Sequence, residues 1–287
     1  MRGKFVSFGL ILGIVAGVAA AQVPKRTTVD DAAMYCSGTV STDAVRQDSY
    51  IISGEQSVDK VAFVEGQLVY INRGSAQGVK AGDEFLVVRH VKEELKEVWF
   101  HGQGELMRAM GSAWADLGRI KVVHVGDKVS TAEVESTCDY IQRGDIIVPF
   151  AERPAPPLKP NSAVVDPFAP ATGKTGMIVS SKFFGQASAA NSIVYVNLGA
   201  SQGLKVGSYL RVFRNQGKGV STIYQTVGNE YKLYGFGSTP VAYTWPGLPR
   251  EILGEGIVVR VSGNTATVML TAVRREVYAG DYVELEQ

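Results

Sequence analysis

Residues 69–89, VYINRGSAQGVKAGDEFLVVR, return as residues 194–214, VYVNLGASQGLKVGSYLRVFR. Tyr70, Asn72, Gly74, Gln77, Gly78, Lys80, Gly82 and Arg89 recur at fixed spacing as Tyr195, Asn197, Gly199, Gln202, Gly203, Lys205, Gly207 and Arg214. An internal repeat bounds the architecture before any single motif does. Val69-Tyr70-Ile71-Asn72 is rich in β-formers and ends at a turn former. Phe85-Leu86-Val87-Val88 suits a strand buried on at least one face. The glycines between them mark places where the backbone turns with positive φ, which a Cβ disfavours. The stretch predicts strand, tight loop, strand. Asp83 becomes Ser208 in the second copy, so the turn does not require a carboxylate.

Each copy has a second half. Leu117-Gly118 leads into IKVVHV at 120–125, STAEV at 130–134 and GDIIV at 144–148. Leu253-Gly254 leads into IVVRV at 257–261, ATVML at 266–270 and GDYV at 280–283. Gly126-Asp127 and Gly263-Asn264 stand where a hairpin turn is expected. One unit then holds about five or six short strands, the pattern of a small closed barrel or sandwich. The predicted fold is mainly β. It comprises a first β-barrel domain over 22–148 with an N-terminal extension, a proline-rich linker over 149–176, and a second β-barrel domain over 177–287.

Residues 1–21 carry Arg2 and Lys4, an apolar run from Phe5 to Val18, and Ala19-Ala20-Ala21. That order predicts a secretory signal peptide cleaved before Gln22. The apolar run is short against the ~20 residues needed to span a bilayer, so no membrane span is expected after cleavage. The formal net charge is +1 with both signs interspersed. There is no basic stripe for a nucleic acid and no acidic block for a disordered tail. Cys36 and Cys138 are the only cysteines. In an exported chain a lone pair favours a disulfide, here one tying the N-terminal segment to the first domain's last hairpin.

The linker holds Pro154, Pro156, Pro157 and Pro160. Proline fixes φ and removes donors, which fits an extended polyproline-type tether. An ordered strap across both domains, using Val164-Val165 and Phe168, fits equally well. Within 90–116, residues 105–115 predict a short helix with Leu106, Met110 and Trp114 on one face, covering a barrel opening or filling core. The second excursion, 215–252, carries Tyr231, Tyr234, Phe236, Tyr243 and Trp245. These form either a contact surface for a partner or glycan, or the packing of the loop onto its own barrel.

No catalytic, cofactor or metal site emerges. His90, His101 and His124 lack metal-ligand spacing. Ala171-Thr172-Gly173-Lys174-Thr175 resembles the end of a phosphate-binding loop, but Phe168 stands where the first glycine belongs. Asp83, Asp145 and Asp281 each follow a glycine at a strand start, which local hydrogen bonding explains better than acid–base work. Lys80 and Lys205 read as solvated turn residues.

The run V-Y-[IV]-N-x-G-x-x-x-G-[VL]-K-x-G, with its hairpin and Gly-Asp-apolar ending, resembles the C-terminal domain of the flagellar assembly protein T family. Similar phrasing occurs in the periplasmic β domains of rod-shape-determining protein C. The resemblance implies small non-catalytic β-barrels in a periplasmic, ring-forming protein. The expected function is an exported, periplasmic or envelope-associated binding or assembly module. Its expected partner is an envelope protein or peptidoglycan, and it has the option of a homo-oligomer. A cell-envelope hydrolase is the competing class; a solvent-facing pair of carboxylates or a clustered histidine would mark it.

Overall fold

The computed structural model describes residues 26–56, 58–91, 99–160, 165–215, 228–231, 238–241 and 249–286. The predicted signal peptide lies outside these residues. The chain is mainly β. A five-residue helix α1 (Asp31–Tyr35) opens it, capped by the Asp30 carboxylate, which accepts from Ala33 N–H. Next come β1 (Thr39–Ser41), β2 (Ile51–Gly54), β3 (Ala62–Phe63), β4 (Leu68–Ile71) and β5 (Glu84–Val91). Helix α2 (Gln103–Met110) precedes β6 (Ser112–Val125), β7 (Ser130–Thr137), β8 (Ile141–Gln142) and β9 (Ile146–Pro149). The second half holds β10 (Thr175–Ser181), β11 (Ala187–Ser188), β12 (Ile193–Val196), β13 (Tyr209–Arg214), β14 (Gly228–Tyr231) and β15 (Ser238–Val241). It ends in β16 (Glu251–Val261), β17 (Ala266–Val273), β18 (Val277–Tyr278) and β19 (Tyr282–Leu285).

The first sheet runs β2-β4-β7-β6-β5-β9, with β1 added against β6. The second runs β10-β12-β17-β16-β13-β19 and closes into a barrel. The order of neighbours matches strand for strand, and the short pairs β3–β8 and β11–β18 match as well. Closure differs. In the barrel Thr175, Gly176 and Met177 pair with Glu284, Val283 and Tyr282. In the first sheet the ends meet through an isolated bridge between Tyr50 and Ile146.

Both interiors are packed with aliphatic side chains rather than hollow. Ile51, Val69, Ile71, Val87, Leu117 and Ile120 fill the first, together with Phe63. Ile178, Val194, Val196, Leu210, Val212 and Leu253 fill the second.

The repeated glycine loop does the same work twice. A 3₁₀ turn, Ser75–Gln77 or Ala200–Gln202, is sealed by Gln77 Oε1 accepting Gly74 N–H at 2.9 Å and Gln202 Oε1 accepting Gly199 N–H at 2.8 Å. A Cβ on Gly74 would lie 2.3 Å from the Gly126 carbonyl oxygen, and one on Gly199 2.5 Å from that of Ser262. The loop thus presses against the facing hairpin, and only glycine lets it. Asn72 Oδ1 accepts Tyr50 N–H, and Asn197 Oδ1 accepts Met177 N–H, pinning each first strand to its neighbour. The Lys80 N–H donates to Asp83 and the Lys205 N–H to Ser208, so carboxylate and hydroxyl close the turn alike.

One element differs from expectation. The helix predicted over 105–115 stops at Gly111, whose φ of 103° breaks it, and Trp114 lies in β6. Leu106 and Met110 still share a cluster, but Trp114 packs with Leu86 and Val88 on the outside of the first sheet. The seam of the first domain, expected as a small barrel or sandwich, is joined by the Tyr50–Ile146 bridge and by Ile51 N–H to the Asp145 carbonyl, Gly144 N–H to that of Ile51 and Ile147 N–H to that of Ser49. Of the two readings of 149–176, the described residues follow the strap. Thr28 bridges Pro157, Val29 N–H donates to the Pro156 carbonyl, and Lys159 N–H donates to the Tyr209 hydroxyl. Phe168, expected to pack, is 90 % exposed.

Candidate functional site

The N-terminal segment lies between the two sheets. Val29, Ala33 and Met34 from it, with Met110 from α2, form one cluster with Val179, Ile193, Tyr195, Ile257, Val259 and Met269 of the barrel's outer face. The sequence of β12 explains half of this. All four of its residues are buried, Val194 and Val196 toward the barrel interior and Ile193 and Tyr195 toward the N-terminal segment.

Gly38 is the pivot. Its N–H donates to Asp116 Oδ2 at 2.8 Å, while Arg260 Nη1 donates to both oxygens of Asp116 at 3.0 and 2.9 Å. Its carbonyl accepts from Arg260 and from the Thr267 hydroxyl, each at 3.3 Å. Tyr195 Oη donates to the Ser37 carbonyl at 2.8 Å. A Cβ on Gly38, at φ 66°, would fall 2.8 Å from both the Trp114 carbonyl oxygen and Tyr195 Oη. Asp116 is a β6 residue with a side chain 1 % exposed, so its charge is buried and met by Arg260 of the other sheet. Burial, then the charge of Asp116, pushes the Tyr195 hydroxyl well above its ordinary pKa.

Two residues before Gly38, Cys36 is bonded to Cys138, as the cysteine count predicts. α2 adds a second fastening. Gln103 Nε2 donates to the Val179 carbonyl at 2.8 Å, and Asn264 Nδ2 to the Ala109 carbonyl at 3.1 Å. The strap adds a third, with Lys159 Nζ 2.6 Å from Glu255 and 2.8 Å from Glu286.

Beside this junction runs a groove of about 390 Å³, between α1 and the turn from β10 to β11. Ala32, Ala33, Ile193 and Met269 give it an apolar floor. A smaller hollow of about 140 Å³, walled by Trp114, Tyr195 and Phe184, lies on the other side of the same turn. Lys182 and Phe183 line both. Lys182 Nζ sits 5.1 Å from the centre of the Phe183 ring. Burial lowers the Lys182 pKa, against the opposing pull of Asp116 and Asp139.

The carboxylates that follow glycines have structural partners. Asp145 binds Arg89 through two contacts, at 2.7 and 2.8 Å, and accepts Gln142 N–H. Asp281 binds Arg214 at 2.8 Å twice and accepts Tyr278 N–H. Both arginines belong to the repeated stretch; the sequence shows their recurrence but not their partners. His90 stacks edge-on against Trp114. Among the described residues no three His, Cys, Asp or Glu side chains gather where a metal could sit, and no helix is long and apolar enough to cross a membrane. Of the expected contact surface, Tyr231 ends β14, which pairs with β15. Tyr234, Phe236, Tyr243 and Trp245 lie outside the described residues.

Sequence reasoning did not single out Gly38, Asp116, Arg260 or Lys182. Their partners come from segments far apart in the chain, and no spacing announces them. Compared with known proteins, the chain matches no family model and no curated sequence.

Proposed function

We propose that the chain is an exported, non-catalytic binding or assembly module of the cell envelope. It is built from two copies of one β unit, and its partner is an envelope protein or peptidoglycan. One observation carries this reading: the N-terminal segment, bonded to the first sheet through Cys36–Cys138, is clasped by both sheets at Gly38. A fixed spacing between two packed β units is what a scaffold needs. A disulfide that secures it belongs in an oxidising compartment. The buried carboxylates Asp116, Asp145, Asp281 and Glu284 are each held by arginines, an arrangement that fastens strands rather than moves protons. The likeness of the repeated stretch to the flagellar assembly protein T and rod-shape-determining protein C domains supports the same compartment and the same absence of chemistry.

Fractionation of cells expressing the full chain, with alkylation of free thiols and crosslinking in the intact envelope, tests the reading. Expected are a chain shortened at its N-terminus, two thiols protected until reduction, and crosslinked envelope partners. A cytoplasmic chain with two titratable thiols would overturn it. Light scattering on the mature chain decides between a monomeric binder and a ring-forming scaffold.

A further inference from the structure

We infer that the groove at Lys182 binds the carboxy terminus of an extended, small-residue peptide, with the terminal carboxylate on Lys182 and the peptide backbone along β11. The inference names the partner chemistry of the binding module proposed above and rests on that reading.

Four observations converge. Lys182 is half-buried and makes no side-chain hydrogen bond or ion pair among the described residues. By contrast Arg89, Lys159, Arg211, Arg214, Arg250 and Arg260 all meet carboxylates. A partly desolvated ammonium that lies against the Phe183 ring, with Asp116 and Asp139 near enough to act on it but not bonded to it, gains from a carboxylate ligand in direct contact, because a charge-assisted hydrogen bond is stronger where water is scarce. Second, Lys182 lines both hollows, so a ligand reaching it has room on the groove side for several residues. Third, β11, which lines the groove through Ala187 and Ser188, pairs with β18 and with no other strand among the described residues. An edge of that kind offers backbone donors and acceptors to an extended peptide, and a fatty acid cannot use them. Fourth, the floor is made of Ala32, Ala33, Ile193 and Met269, and Phe183 stands 84 % exposed at the rim. Small apolar side chains fit such a floor.

The probe is N-terminally labelled Ala-Ala-Ala as the free acid, measured by fluorescence anisotropy on the mature chain against the same peptide amidated at its C-terminus. The free acid is expected to bind saturably and at least about tenfold tighter than the amide. Lys182→Gln is expected to erase that difference with little change in melting temperature, since the amine makes no hydrogen bond or ion pair among the described residues and its one ring contact is to the exposed Phe183. Lys182→Arg is expected to retain it, and Phe183→Ala to weaken both peptides. Equal affinities for acid and amide, an unaltered preference in Lys182→Gln, or no binding at millimolar peptide would each overturn the inference. So would displacement of the peptide by octanoate at equal concentration, which would assign the groove to a lipid acid. Envelope crosslinks that persist in Lys182→Gln would sink the groove while leaving the module intact. Peptide binding by a chain that never reaches the envelope would do the reverse.

Discussion

Tyr70 and Tyr195 hold the same place in the two sheets, on strands reading VYIN and VYVN. Tyr70 is half-buried, whereas Tyr195 is 5 % exposed and hydrogen-bonded to the N-terminal segment. The contrast extends across the outer face. Lys121 pairs with Glu133 in the first sheet, where Ile257 pairs with Met269 in the second. The first face carries a lattice of Glu84, Arg119, Lys121 and Glu135 at 3.0 to 3.7 Å. The equivalent part of the second, Ile193, Tyr195, Ile257, Val259 and Met269, is apolar and covered by residues 29–40 and α2. One frame therefore serves two surfaces. What the turns, the Arg–Asp clamps and the glycine loops fix is the frame. What the alternate, outward positions carry decides whether the face meets water or protein.

A second contrast lies at the strand pair beside the seam. Leu86 faces Val148 in the first sheet, within an apolar cluster with Trp114. The equivalent pair in the barrel is Arg211 and Glu284, 3.0 Å apart, with side chains 8 % and 1 % exposed. Arg250 joins them at 2.8 Å, and the strap supplies carbonyls of Ala169 and Pro170. The barrel thus binds its covering strap through charge, while the first sheet holds its own covering residue, Val45, through apolar contact.

The largest expected effect tests whether the shared frame is held from outside. Replacing Cys36 and Cys138 by Ser removes a cross-link spanning 102 positions, worth at most about 4–5 kcal/mol in the chain-entropy model. The loss should appear as a lower urea midpoint. A separate early transition for the first sheet would show that the bridge, rather than the Gly38 clasp, joins the two. Next in size, Asp145→Ala and Asp281→Ala should each cost about 3–5 kcal/mol, because each leaves an arginine of the frame without its partner. If the two frames are equivalent, the two losses agree within about 1 kcal/mol. A much smaller loss at Asp145 would trace to the first sheet's seam, which is joined by one bridge and a few backbone hydrogen bonds rather than by a continuous strand pairing.

The frame was legible in the sequence because its devices are local. Gly74, Gln77, Asn72 and Asp83 act within a few residues or across one hairpin, so their recurrence announced them. The Arg89–Asp145 and Arg214–Asp281 clamps were half-legible: each residue recurs, but the partners are 56 and 67 positions apart. The junction was not legible. Residues 29–49 offer no long periodic run, since α1 is a single short turn and β1 is three residues long. Asp116 and Arg260 are 144 positions apart, and His124 stands where the first copy would have matched Arg260. Trp114 reads as helical because its spacing from Leu106 and Met110 keeps helical period across Gly111, where the chain changes to a strand. The prolines of 149–176 suit a free tether and a docked strap alike; only contact with Thr28, Val29 and Tyr209 separates the two.

Exchanging surface residues between the copies sharpens the second contrast. Glu284→Val alone leaves Arg211 buried beside a methyl group and should cost about 3 kcal/mol or more. Arg211→Leu with Glu284→Val installs the first sheet's pair and should recover part of that loss, since apolar replacement of a buried ion pair is often neutral but Arg250 still loses its carboxylate. The two proteins should also diverge in acid. Burial alone would raise the Glu284 pKa, but the hydrogen bonds from Arg250, from Thr172 N–H and from Arg211 outweigh it and hold it below the ordinary value. A depressed folded-state value gives stability that is complete above the unfolded pKa of about 4.3 and is lost as pH falls through the folded value. Below about pH 4 the original chain should therefore lose stability faster than the double variant. Parallel acid curves would mean that Glu284 does not titrate as a buried partner.

The smallest expected effect is at the turn. Asp83→Ser gives the first copy the second copy's residue, whose hydroxyl already accepts the equivalent N–H from Lys205 at 3.1 Å. Both oxygens sit on exposed turns, and a surface exchange that preserves the hydrogen bond should shift stability by no more than about 0.5 kcal/mol. Asp83→Ala, which removes the acceptor from the Lys80 N–H, should cost about 0.5–1.5 kcal/mol. If Ser and Ala cost the same, the carboxylate serves something other than the turn, and the two loops are alike in shape but not in cause.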